Sequence, residues 1–183
     1  MSIEVDLHTQ GIQYIENQGS LILFDSATIS SADNPVDTVT VSLANPSATE
    51  SLVATTLPEG YSASFDIDTG VLTITGGSGD VSDATWESVL RSVQYINTSD
   101  DPATDQTVTV VASDTIGPDL ADSLAISVAM TVAAVNDAPV IAGDLTATVD
   151  AGGIYLITQD DLAAVDHLLD AVVAQEAGTA AAL

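Results

Sequence analysis

The sequence predicts an all-β protein, a sandwich of about seven or eight short strands with one helix set into it. Three observations carry this. The apolar set is Val, Ala, Leu and Ile, with Thr and Ser filling much of the rest, and branching at Cβ suits extended backbone. Apolar and polar residues alternate with period two in run after run. Turn-forming residues separate the runs. With 46% hydrophobic residues in 183, the chain is no disordered acidic tail and can close a core of full-domain size.

Taken in order, residues 1–11 read as a lead-in and residues 12–135 as one domain. Val39, Val41 and Leu43 alternate with Thr38, Thr40 and Ser42. Leu72 and Ile74 alternate with Thr73 and Thr75, and Val93 and Tyr95 with Ser92 and Gln94. The longest run is Leu124, Ile126, Val128, Met130 and Val132, with small or polar residues between. Such strands show one apolar face to a core shared by two sheets. Asn34-Pro35, Asn45-Pro46, Pro58-Glu59-Gly60, Asp68-Thr69-Gly70, Gly76-Gly77 and Gly117-Pro118 supply the turns. One helix interrupts the pattern: Asp83 is suited to N-cap it, and Trp86, Val89, Leu90 and Val93 share one face.

After Val135 the pattern resets. Residues 136–140, Asn136-Asp137-Ala138-Pro139-Val140, form a polar hinge whose proline forces an extended exit. In residues 141–179, Thr146–Val149 and Ile154–Ile157 read as strands and Gln159–Val173 as a helix. This stretch is too short for a domain and reads as the truncated start of a following repeat. Ala180 to Leu183 resemble a vector-encoded scar and are left out of the fold reading.

Charge narrows the function classes. There are 27 acidic residues and one basic residue, Arg91, for a formal net charge of −26. Phosphate backbones and anionic lipid surfaces would be repelled, so no nucleic-acid partner is expected. Two carboxylates ~4 Å apart repel by ~4 kcal/mol at an effective dielectric of ~20. Clustered acids therefore call for a cation from outside the chain, and Ca2+ is the usual hard partner for oxygen ligands. A second reading stays open on composition alone: acidic surfaces also serve solubility and salt tolerance. With no cysteine there is no disulfide framework, zinc–thiolate site or thiol nucleophile. No apolar run reaches the ~18 residues of a membrane span, and no basic-then-apolar leader opens the chain, so membrane insertion is not expected.

Several segments together resemble one family. Val135-Asn136-Asp137-Ala138-Pro139-Val140 resembles the linker of bacterial cadherin-like repeats, which occur in tandem in large adhesins of the RTX type and in biofilm surface proteins. Tyr14-Ile15-Glu16-Asn17 is similar to the family's opening strand, and Phe65 to Leu72 to its central hairpin. Leu90 to Tyr95, with Asn97 to Pro102, resembles the strand and loop after its helix. Val110-Val111-Ala112-Ser113-Asp114 resembles the strand that ends in a calcium-ligating aspartate. The resemblance covers about residues 12 to 141. The tail, with Leu156-Ile157-Thr158 and Asp160-Asp161-Leu162 before Asp166, is similar to the opening of a proteoglycan-type repeat.

This resemblance implies a Greek-key sandwich of the cadherin and immunoglobulin kind and Ca2+ at the junctions between repeats. It implies Glu16, Asp114, Asn136 and Asp137 as metal ligands, brought together at one pole of the domain. Asp66 and Asp68 have two readings, as further ligands or as turn residues bonded to their own backbone. Where the family often has a second acid two residues after the first, this chain has Ile116. The site then loses one ligand, is completed by Asp119 or Asp150, or binds more weakly than is usual in the family. The implied function is a non-catalytic, calcium-binding extender or adhesion module of a secreted bacterial cell-surface protein. Its partners are neighbouring repeats of the same chain and a cell-surface glycan or protein. A glycan- or peptide-binding adhesive domain is the alternative.

Other signals point nowhere further. His8 and His167 are distant in sequence and in no nucleophile or metal motif. Paired carboxylates for glycoside hydrolysis would come with aromatic platforms, and only 4% of residues are aromatic. Trp86 reads as a core plug. Gly76-Gly77-Ser78-Gly79-Asp80 lacks the lysine of a phosphate loop and the repetition of a calcium nonapeptide.

Overall fold

A computed structural model describes residues 3–31, 35–76, 82–102, 105–115, 121–136, 140–142 and 163–165. The chain divides into two compact units, Met1–Val135 and Asn136–Leu183. Outside the described residues lie Ile116, Asp119, Asp137 and Asp150, the glycine run after Gly76, the strands expected over Thr146–Val149 and Ile154–Ile157, and His167.

The first unit is mostly β, with one short helix. Its strands are β1 (Ile3–Asp6), β2 (Ile12–Ile15), β3 (Leu21–Ile22), β4 (Thr28–Ser31), β5 (Thr38–Leu43), β6 (Glu50–Ala54), β7 (Ser62–Asp66) and β8 (Val71–Thr75). Helix α1 (Asp83–Leu90) follows, then β9 (Val93–Asn97), β10 (Asp105–Asp114), β11 (Ala121–Asp122) and β12 (Ile126–Ala133). The largest sheet has seven strands in the order β2-β12-β10-β5-β8-β7, with β11 paired to β10. All its pairings are antiparallel except β2 with β12, which is parallel. A three-stranded sheet runs β3-β9-β6, and β1 pairs with β4. In the second unit, β13 (Val140–Ala142) pairs antiparallel with β14 (Ala163–Val165).

The period-two runs do what alternation demands. β5 buries Val39, Val41 and Leu43, β8 buries Leu72 and Ile74, and β12 buries Val128, Met130 and Val132. One hydrophobic cluster takes these side chains together with Phe24, Leu52, Tyr14, Tyr95 and the helix residues Trp86, Val89 and Leu90. Burying a side chain of this size contributes ~1.5–3 kcal/mol. Trp86 is fully buried, its indole N–H donates to the Val36 carbonyl at 2.6 Å, and Tyr61 packs edge-on against it with ring centroids 4.9 Å apart.

Five sequence expectations change. In the stretch read as lead-in, Ile3–Asp6 form β1, and Ile3, Val5 and Leu7 enter the core. The helix N-cap is Ser82, not Asp83: the Ser82 hydroxyl accepts from Thr85 N–H at 3.3 Å, while Asp83 is committed elsewhere. The helix also ends at Leu90, because Ser92 turns its N–H and hydroxyl onto the Val89 carbonyl and Val93 opens β9. Leu124 stands outside its expected strand, 83% exposed. Ser123 occupies the ladder position instead, exchanging backbone and hydroxyl bonds with Ala112 and bonding to the Leu124 carbonyl, and β12 begins at Ile126. Ala163–Val165, inside the stretch read as a helix, is strand β14, its backbone taken up by the ladder to β13.

Helix α1 covers the edge of β4. The Ser31 N–H donates to Asp83 Oδ2 at 3.1 Å, and the Ile29 N–H to Glu87 Oε1 at 3.4 Å. Arg91 Nε donates to the Ala27 carbonyl at 2.9 Å. Four helical residues rise ~6.0 Å and two strand residues ~6.6 Å, so side chains four apart on the helix meet alternate residues of the strand. An edge that would otherwise present open donors is closed by side chains.

Candidate metal centre

Glu16 follows directly on β2. The parallel ladder sets Tyr14 beside Val132 and Ile15 beside Ala133, and the Glu16 N–H extends it by donating to the Ala133 carbonyl at 2.9 Å. Its side chain turns inward and is 4% exposed. Oε2 accepts from the Val135 N–H at 2.7 Å, whereas Oε1 is buried with no hydrogen-bond partner. A buried carboxylate oxygen left unsatisfied is rare and costly, and calls for a donor or a cation.

The surroundings hold Glu16 rigidly. The Tyr14 hydroxyl, two residues earlier, lies 2.9 Å from the Gly19 carbonyl and 3.0 Å from the Asn97 carbonyl, and accepts from Asn97 N–H at 3.3 Å. Tyr14 and Tyr95 pack edge to face with centroids 4.9 Å apart. Behind them Glu50, 5% exposed, accepts from the Tyr95 hydroxyl at 2.6 Å, Gln106 Nε2 at 3.2 Å and Ser47 N–H at 2.8 Å. Burial, then the hydrogen bond to Glu50, raises the Tyr95 pKa well above that of a free phenol. Unlike Glu16, Glu50 is fully served by donors from the protein.

Of the expected ligands, Glu16, Asp114 and the pair Asp66 and Asp68 fall in three separate places. Asp114 ends β10 opposite Ala121, whereas Asp105, at the other end of β10, sits opposite Thr131. Glu16 lies beyond that second end, past Ala133. Ten residues of β10 span ~30 Å, so Glu16 and Asp114 lie at opposite poles and cannot share one ion. Convergence of these two acids at one pole, as the family resemblance implies, is therefore corrected. The reason is that β10 and β12 run antiparallel.

Asp66 and Asp68 sit on the turn joining β7 to β8, four strands across the sheet from β2, a lateral separation of ~19 Å. Asp66 Oδ1 accepts from Asp68 N–H at 2.9 Å and Thr69 N–H at 3.4 Å. These bonds to its own turn, led by Asp68, hold the exposed Asp66 carboxyl below the usual range. Asn136 is exposed and opens the second unit, and Asp137 lies outside the described residues. Among the described residues, no group of three or more Asp, Glu or His side chains could hold a metal. Any ion at Glu16 therefore needs oxygens beyond side-chain carboxylates, such as backbone carbonyls.

Two buried acids escaped the sequence reading. Asp37, 6% exposed, accepts from Thr115 N–H at 2.7 Å and from the hydroxyls of Thr115 and Thr38, both at 2.8 Å, fastening the segment after β10. No local pattern marks it. Glu50 had a readable sign: Ser47-Ala48-Thr49-Glu50 has the Ser-x-x-Glu spacing that turns a carboxylate back on a preceding N–H.

No family model and no curated protein sequence matches the chain. Among the described residues, no helix is long and apolar enough to cross a membrane.

Proposed function

We propose that this chain is a calcium-stiffened β-sandwich module, of the cadherin-like kind its motifs resemble, from a large secreted bacterial surface protein. One observation carries the reading: Glu16 Oε1 is buried and without a partner where the chain leaves β12. A hard divalent cation bound there would supply the charge that the chain, with one basic residue, does not. Glu16 is the proposed ligand fixed on the sheet; Asn136 and Asp137 are ligands that the family resemblance implies. The module's work is mechanical: it spaces and stiffens, and catalyses nothing.

Extracellular calcium modules bind at roughly 10⁻⁴–10⁻³ M. At a free concentration ~100 times the dissociation constant, one site adds ~2.7 kcal/mol of stability. Calorimetric melting with calcium, magnesium and sodium at matched ionic strength tests the reading on the wild type and Glu16→Gln. Calcium should raise the wild-type melting temperature selectively and compact its scattering profile, and Glu16→Gln should lose most of that response. A wild type whose melting and scattering ignore calcium, or respond equally to sodium, overturns it.

A further inference from the structure

One side chain holds the end of the seam between β2 and β12. The last ladder pair is Ile15 beside Ala133. Beyond it the Glu16 N–H reaches the Ala133 carbonyl at 2.9 Å, and the Glu16 carboxylate reaches the Val135 N–H at 2.7 Å, 119 residues away in sequence. Apolar burial adds little at this point, because the side chains of Ile15 and Val135 are 44% and 43% exposed. The polar contacts of Glu16 therefore decide whether the chain stays fastened where it leaves β12.

Those contacts are opposed within one carboxylate. The bond from Val135 N–H to Oε2 draws the group inward, while the burial of Oε1 without a partner pushes it out. A hydrogen bond to a charged acceptor and a buried acceptor left unserved are of the same order, so the two effects nearly cancel. Turning outward gives both oxygens water and gives up Val135. Glu50 shows the contrast: Tyr95, Gln106 and Ser47 serve it from within the protein, so its position is settled without help.

We infer that calcium at Glu16 Oε1 decides this balance, fastening the exit of β12 to β2, and that without calcium this end of the seam frays. The inference rests on the reading of Glu16 as a calcium ligand and deepens it, by assigning the ion's effect to a contact within Met1–Val135. Linkage sets the size. An opening that withdraws Glu16 also releases the ion, so it becomes rarer by ~100-fold at a calcium concentration ~100 times the dissociation constant. Openings that leave Glu16 in place do not change. The turn where Asp68 and Thr69 donate to Asp66 is one of these, four strands across the sheet.

Amide hydrogen exchange followed by NMR on the wild type, in calcium chloride and in EGTA at matched ionic strength, tests this residue by residue. At that calcium concentration the Glu16 and Val135 amides should slow ~100-fold, and those of Asp68 and Thr69 should keep their rates. In Glu16→Gln the amides at 16 and 135 should exchange alike in both solutions. The wild-type comparison decides by itself, and the melting temperature tells its failures apart. If calcium raises melting but leaves the Glu16 and Val135 amides as fast as before, the inference falls and the calcium reading stands. Equal slowing at Asp68 and Thr69 also overturns it, since the effect then has no special place at the seam. If calcium changes neither melting nor exchange, the reading of Glu16 as a ligand falls with it.

Discussion

Arg91 Nε donates 2.9 Å to the backbone carbonyl of Ala27, so the chain's one basic side chain spends its charge on the backbone at the head of β4. Its Nη2 stands 3.3 Å from Glu87 Oε2, one helical turn earlier. This partly exposed ion pair is worth little, while the bond to Ala27 closes a strand edge. Arg91→Met should therefore cost ~1–3 kcal/mol in denaturant unfolding. Glu87→Gln, which keeps an acceptor for Ile29, should cost less. Equal losses would place the stability in the ion pair instead.

The Tyr95–Glu50 bond predicts an alkaline limit. Burial and Glu50 raise the Tyr95 pKa above the 10.0 of a free phenol, so the folded state holds this proton more tightly than the unfolded chain. The stabilisation is complete below pH ~10 and falls away as pH rises past it, because the unfolded state then releases the proton first. Tyr95→Phe should cost ~1–3 kcal/mol at neutral pH by stranding Glu50 Oε1. It should also flatten the alkaline limb, read by melting from pH 8 to 11.

Asp66 acts at the acid end. Its carboxyl is held low by its own turn, so its contribution is present above the usual carboxylate range and is lost as pH falls through the lowered folded value. Asp66→Ala should lower the melting temperature modestly at neutral pH and not at all in strong acid. A calcium response unchanged in this variant would leave Asp66 a turn residue only.

Gly70 gives a steric prediction. Its φ is +68°, and a Cβ there would stand 2.6 and 2.8 Å from the Pro46 ring. The proline ring cannot rotate away. Gly70→Ala should cost ~1–3 kcal/mol through strain in the hairpin, measured by equilibrium unfolding with the m-value unchanged.

Much of the fold was legible where period two runs clearly, as in β5, β8 and β12, because one buried face suffices to fix such strands. β1 carried the same sign in Ile3, Val5 and Leu7, but its brevity and place at the chain's start hid it. The helix was legible in its apolar face and not in its cap, because Ser82 and Asp83 are both good caps and only the distant Ser31 decides between them. For the site, motifs selected Glu16, yet its burial and its unserved oxygen come from the parallel pairing of residues 118 positions apart, Ile15 and Ala133. The separation of Asp114 from Glu16 could have been read: strands joined in antiparallel succession end at alternate poles.

The parallel register of β2 and β12 has a consequence for force. The two strands overlap over four residue pairs, from Ile12 beside Met130 to Ile15 beside Ala133. Tension drawing β2 back toward its start and β12 on past its end slides the two in opposite directions along one axis. The inter-strand bonds are then loaded in shear, all at once, and not peeled apart one by one. A seam held this way should yield abruptly, not gradually, with Tyr14 as the bolt through it.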